Sequence, residues 1–463
     1  MISLRFIIIS ICLSIITLLT FFALDKYVGE SYIFIWFTIT SNVLLYFGFR
    51  KNAIFFDTFI GLFLWLGFWL KTTIRIIFLD SKFVEGIDNL IIPTKTFDEA
   101  LFVSGIAFLS LIIASYLRER FLFKYPKEIK KEESGLFLFY KNNRNKILIC
   151  YAFLFIFIGF SNSYLGIYQR GEIVETILPY GLNSIYKWLL LFGLSSFSTL
   201  ILKYEFDLER KTVYLVPFLT LLETCTTNIS LLSRGMILNS SSLGLGMIKQ
   251  LQVSSIKTSK KFWFIMIVLF ITLFLISVIS VNNIRENKIN ASVNASVNNI
   301  KILFLDRWVG IEGMIAVSNK EGGWELLKEA ISEKYDDNKM SFYDATFITS
   351  AYKNTNMNLN HYVTLPGFIA FFYYSSSIWF LCIVLIILSL LASIIELFAY
   401  KLSANNMIFV ALIGQVIAYR YSHFGYVPSQ SYLLFGSIIL NIFIFYILNK
   451  VFFWWYVKRR INV

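Results

Sequence analysis

Charge is scarce in this sequence. Of its 463 residues only 15% are Asp, Glu, Lys or Arg, 57% are hydrophobic, and the mean hydropathy is +0.67. Soluble domains carry about 25% charged and about 45–50% apolar residues, so a water-soluble globular fold is excluded and an integral membrane protein remains. There are two histidines, His361 and His423, and neither stands in an HExxH pattern or beside a cysteine, so no metal site is expected. Cys12, Cys150, Cys225 and Cys382 all fall in apolar runs, where disulfides and thiolate metal sites are not expected. Also missing are the period-two alternation of a membrane barrel, heptads, tandem domain repeats and a soluble catalytic domain.

What the chain has instead is long apolar runs. FIIISICLSIITLLTFFAL is about the length of a helix crossing roughly 30 Å of hydrocarbon. This first run is too long for a signal peptide and lacks a small-residue cleavage site, so it reads as a retained span. Clear apolar segments fall at 4–24, 31–49, 53–70, 98–117, 147–165, 184–202, 212–232, 262–281, 367–398, 406–420 and 431–450. The net charge of +13 invites a nucleic-acid reading, but the Lys and Arg residues cluster at the ends of apolar segments. That is the pattern of cytoplasmic anchors, with membrane lipids as the partner and no nucleic acid. Arg50-Lys51, the stretch Arg118 to Lys146, Lys203 to Lys211 and the terminal KRR place those loops inside. To keep Lys257, Lys260 and Lys261 inside as well, one more crossing is needed. MILNSSSLGLGMIKQLQ at 236–252, whose Gly and Ser residues suit close helix packing, supplies it, with an interfacial or re-entrant segment as the alternative.

The expectation is an all-α, polytopic transmembrane bundle of about twelve spans with both termini cytoplasmic. Spans one to nine occupy 1–280, one large, partly helical periplasmic loop occupies 281–366, and spans ten to twelve occupy 367–463. The loop holds the polar run VNNIRENKINASVNASVNN, and its basic and acidic residues nearly balance. GGWELLKEAISEKYDD places Trp324, Leu327 and Ile331 at helical spacing, the pattern of an amphipathic helix resting on the bundle.

Several charges are not explained as anchors. On the expected outer side stand Arg75, Arg170, Arg234, Arg285, Arg307 and Arg420. A cation near a helix end in apolar surroundings is costly unless it snorkels to headgroups or meets an anion. Snorkelling accounts for any one of them, whereas Arg234, Arg307 and Arg420 beside one loop suggest a shared anionic ligand. Guanidinium suits phosphate because it stays charged and binds two oxygens at once. His361 and His423 both fall on that side and titrate near neutral pH, so each is a candidate general base or a hydrogen-bonded interfacial side chain. Glu312 in VGIEGM is flanked by Gly and apolar residues, where desolvation would favour its proton-bound form and suit it to the same task. Asp306 reads as a cap or a partner of Arg307. Glu223, in mid-span, is an intramembrane carboxylate with either a functional or a packing role. Asp98-Glu99 and Asp336-Asp337 resemble acidic metal pairs only superficially.

LSRG at a helix end, DRWVGIEG and HYVTLPGF in the late loop, and AYRYSHFGYVP near the C-terminus together resemble the Wzy-type oligosaccharide repeat-unit (O-antigen) polymerases. The architectural likeness covers nearly the whole chain. The resemblance implies a GT-C-like, cofactor-free and metal-independent glycosyltransferase of the bacterial inner membrane, its active site facing the periplasm. It would move a glycan from undecaprenyl pyrophosphate onto an incoming lipid-linked repeat unit, in company with a polysaccharide co-polymerase. The pyrophosphates would then be held by Arg234, Arg307 and Arg420, with Arg170 and Arg75 as further candidates, and Glu312, His361 or His423 would activate the acceptor hydroxyl. Aromatics such as Trp308, Tyr352, Tyr362 and Tyr373 are available to stack on sugars. An O-antigen ligase shares the fold and donor, and a lipid-linked oligosaccharide flippase also has about twelve spans, though it needs no large periplasmic cover. A dolichyl-phosphate-mannose-type transferase usually carries an acidic pair in its first outer loop, which DKYVGE lacks.

Overall fold

The computed structural model describes every residue except 1–3, 82, 84–92, 129–133, 171–174, 209–213, 234, 257, 289–307, 321, 335–340, 349–364, 426–427, 429–430 and 462–463. Among the described residues the regular structure is entirely helical. The first helices are α1 (Leu4–Lys26), α2 (Ser31–Gly48), α3 (Phe55–Phe78), α4 (Thr94–Leu122), α5 (Gly135–Leu165) and α6 (Pro179–Asp207). Then follow α7 (Leu215–Ser230), α8 (Met236–Val253) and α9 (Lys260–Lys288). The described part of the insert holds α10 (Ile311–Ser318), α11 (Trp324–Ser332) and α12 (Phe342–Phe347). The chain closes with α13 (Gly367–Phe372), α14 (Ile378–Leu402), α15 (Met407–Ser422) and α16 (Ser431–Ile461). Eight of these, α2 to α6, α9, α14 and α16, are long and apolar enough to cross a membrane, and α15 is a shorter apolar helix.

The bundle is organised around α15. Met407 to Ile413 are all buried, so this helix is apolar on every side and must be enclosed by protein. It packs against α3, α6, α8 and α14. Helix α8 runs antiparallel along it: Gly246 sits on the Ile408 backbone, and the Gln250 Oε1 accepts the Met407 N–H at 2.9 Å. The weakly apolar stretch at 236–252 is thus a continuous helix, and its small residues serve the close packing expected of them. An outer layer surrounds this core. The apolar window of α9 is only 17% buried and that of α3 is 72% buried, so α9 turns its Leu, Ile and Phe residues outward as a lipid-facing helix does.

At one end of the bundle, basic residues read as membrane anchors prove to be internal staples. Arg118 is fully buried, bonds Asp57 and donates to the Asn52 carbonyl at 3.0 Å. Arg144 pairs with buried Glu205, which also accepts from the Tyr140 hydroxyl. Glu396 accepts the N–H groups of Phe55 and Phe56 at 2.8 and 2.7 Å, closing the N-terminus of α3, where a carboxylate is favoured.

The opposite end carries the insert, and here several expected boundaries move. The apolar stretch 367–398 is not one span. It breaks at a 3-10 turn, Tyr373–Ser375, because Ser376 takes a left-handed conformation (φ +56°) and the Ser377 hydroxyl then caps α14. The span read as 53–70 continues to Phe78, taking Lys71 and Arg75 into the buried part of the bundle. The segment read as 262–281 extends to Lys288, so the insert begins as a helix. Amphipathic α11 is present, but its buried face is Leu327 and Ala330, not Ile331. Trp324 packs edge-on against Phe380 at 4.9 Å, and the Gly323 N–H donates to the Tyr374 carbonyl. Asp98 and Glu99 tie this end together by accepting from the hydroxyls of Tyr27 and Tyr373.

Candidate functional site

The site begins with an irregularity in α3. Residues Trp65–Leu70 form a wider π-helical turn, a local change of phase often found at functional positions. Gly67 lies in that turn, and the insert crosses directly over it. A Cβ on Gly67 would overlap the Val309 carbonyl, and one on Gly310 would overlap the Gly67 carbonyl, so two glycines let the backbones touch. Just beyond the turn, Lys71 and Arg75 stand four residues apart on one face of the helix.

Both face Glu312, in the first turn of α10. Lys71 Nζ is 2.6 Å and Arg75 Nε 3.8 Å from Glu312 Oε1. The three residues are 1%, 2% and 5% exposed, so the ions meet out of water, where such a pair is sustained only by close geometry and further hydrogen bonds. Lys71 supplies one by donating to the Trp308 carbonyl at 3.1 Å, and the Arg75 guanidinium lies 5.5 Å over the Phe83 ring. The sequence reading treated Glu312 as a lone carboxyl in apolar surroundings. It is instead a carboxylate with two cations beside it, placed to hold the insert down on α3.

A train of rings leads from this latch to the end of α15. Trp308 stacks on Phe63 at 5.6 Å, Phe63 meets Tyr419 edge-on at 6.0 Å, and Tyr419 stacks on His423 at 3.9 Å. His423 Nδ1 lies 3.0 Å from the Tyr419 carbonyl, which can only accept, so the proton of the neutral ring is assigned to Nδ1 and the lone pair to Nε2. The Ser422 hydroxyl, itself donating to the same carbonyl, supports Nδ1 at 2.8 Å. Arg420 is half-buried at the same helix end. Its Nε is enclosed and makes no hydrogen bond among the described residues. Tyr168 and Tyr419 lie within electrostatic range of its guanidinium.

Of the residues singled out from sequence, the structure joins Arg75 to Glu312 directly and links that pair through three rings to His423, three residues beyond Arg420. Arg170 sits on the Tyr168 loop, where its N–H donates to the Leu231 carbonyl at 3.0 Å. Arg234, Arg307 and His361, with Asp306, Tyr352 and Tyr362, lie outside the described residues, as does the side chain of Arg285. Lys71 was missed. An ionisable residue four positions before Arg75 in an apolar run was the available signal, hidden by ending the span at 70.

The glycine crossing gives a direct test. Gly310→Ala should detach the 308–318 segment without unfolding the bundle, read as faster proteolysis in the insert with little change in the main thermal transition. Unchanged cleavage would refute the close crossing. Compared with protein-family models, curated proteins and solved structures, the chain matches none.

Proposed function

We propose that this chain is a membrane glycosyltransferase that polymerises undecaprenyl-pyrophosphate-linked oligosaccharide repeat units. In this reading it crosses a bacterial inner membrane twelve times, α1, α7, α8 and α15 adding four crossings to the eight long apolar helices, with the insert end periplasmic. The observation that carries it is Arg420, a half-buried cation at the end of the core helix, with a histidine three residues on and an insert segment latched beside it. A cation kept in such a place calls for an anion, and a lipid-borne pyrophosphate is one that arrives from the membrane itself.

The geometry supports the following roles in this reading. Nε2 of His423 takes the proton of the acceptor hydroxyl as its oxygen bonds to the anomeric carbon. The bond from that carbon to the donor phosphate breaks, and the lipid pyrophosphate leaves with the electron pair. Charge grows on the leaving group during this step, so a fixed guanidinium helps the transition state more than the ground state. Arg420 fills that role, with Arg170, Arg234 and Arg307 proposed to join it from neighbouring loops. Glu312, Lys71 and Arg75 position the insert rather than move the proton. A single displacement of this kind needs one base, not the carboxylate pair of glycoside hydrolases.

The test is reconstitution of purified protein with a defined undecaprenyl-pyrophosphate repeat unit and gel analysis of the product. A ladder spaced by one repeat is expected. Transfer only when lipid A core is supplied would identify a ligase, and lipid-linked glycan crossing the bilayer without any transfer would identify a flippase.

A further inference from the structure

Away from this site, Glu223 of α7 lies at the middle of the bundle with no exposure at all. Among the described residues no Lys, Arg or His forms an ion pair with it, unlike Asp57, Glu205 and Glu312. Hydroxyls surround it instead. Thr227 approaches Oε1 at 3.0 Å, while Ser198 of α6 and Thr224 approach Oε2 at 3.1 and 3.5 Å. Tyr151 of α5 bonds Ser198 in turn. The helices packed on α7 are α5, α6, α8 and α9. Tyr151 is the one ionisable group they bring to this network among the described residues, and it carries no positive charge.

An unpaired negative charge at such a depth is strongly disfavoured, and no cation among the described residues cancels it. The hydroxyl network suits both charge states. With the carboxylate ionised, the Ser198 hydroxyl donates to Oε2. With it protonated, Oε2–H donates to Ser198 Oγ, whose own hydrogen turns to the Leu194 carbonyl 3.3 Å away. The heavy atoms need not move, because a hydroxyl is donor and acceptor at once. The Thr224 hydrogen is already given to the Thr220 carbonyl at 2.7 Å, so its oxygen is left as an acceptor on the same side.

We infer that Glu223 is a binding site for one exchangeable monovalent cation, a proton in the first instance, held between α5, α6 and α7. The site is separate from the arginine–histidine end of α15 and does not depend on the glycosyltransferase reading.

Infrared difference spectroscopy tests this on the full chain in liposomes, comparing wild type with Glu223→Gln near neutral pH, with and without sodium chloride. The expected result is a protonated-carboxyl stretch in wild type that shifts in heavy water and is lost in the variant. Glu223→Asp should move the band rather than remove it, which guards against a Gln variant that does not fold. A band that sodium removes would make sodium the resident ion while leaving the site in place. A spectrum with no carboxyl band from Glu223 in either buffer overturns the inference, since the group would then be a carboxylate held without a cation. Thermal unfolding gives an independent reading: Glu223→Gln, which keeps the shape and the neutral charge, should leave the transition where it is, and a large fall would also count against the site.

Discussion

Replacing Lys71 with Met should lower stability by about 3–5 kcal/mol, because among the described residues it leaves the buried Glu312 carboxylate with only the more distant Arg75 as a close cation. The change also removes the hydrogen bond to the Trp308 carbonyl, so the insert should loosen from α3. Thermal unfolding in detergent gives the first quantity, and proteolysis of the insert gives the second. The decisive comparison is the double variant Lys71→Met/Glu312→Met. Removing both takes away the orphaned carboxylate but also deprives buried Arg75 of that partner, so the double variant should recover part of what the single change loses. Losses that simply add would show that the two side chains do not depend on each other.

Arg420→Ala should leave the folded protein intact and reduce product by about 10²–10³-fold, the usual cost of removing one donor aimed at developing charge. The protein loses little because this cation is half-buried without an ion pair among the described residues, and its removal relieves desolvation. Arg420→Lys should recover only part of the rate, since an ammonium is a point charge and cannot span two phosphate oxygens. The loss should fall mainly on kcat rather than KM if the guanidinium acts on the leaving group. Product formation at the wild-type rate in Arg420→Ala would remove this residue from the proposed mechanism.

Much of the bundle was legible because the hydrophobic requirement of a membrane span is a property of composition over a window. The helix at 236–253 was readable from orientation bookkeeping and from its small residues, although its apolarity is modest. What composition does not carry is phase and pairing. The left-handed residue at Ser376 breaks a helix without changing hydropathy, so one span was read as unbroken, while Lys71 and Arg75 interrupt the apolar run of α3 and made another look too short. Buried ion pairs were hidden for a related reason. Lys71 and Trp308 stand 237 positions apart, and nothing local to Glu312 announces two cations waiting on another helix. Arg118 and Arg144 look like any loop-edge anchors until Asp57 and Glu205 are placed beside them. At the candidate site, Arg420 and His423 stand out in the sequence as polar residues at the end of an apolar run, beside the plainer readings of snorkelling and interfacial hydrogen bonding. The ring train through Phe63 and Tyr419 was not, since with aromatics at 18% of the chain no single ring stands out.

The shortness of α15 has a mechanical consequence. A helix of 16 residues is about 24 Å long, less than the roughly 30 Å of a bilayer's hydrocarbon, and one facing lipid would have to thin the membrane around it. The first two turns of α15 are buried on every side among the described residues, so its length is set by its protein neighbours. A change in bilayer thickness would act first on α9, α14 and α16, whose apolar windows are only 17%, 28% and 22% buried. In the twelve-span reading, the spacing between Arg420, His423 and the latched insert would then change little with membrane thickness.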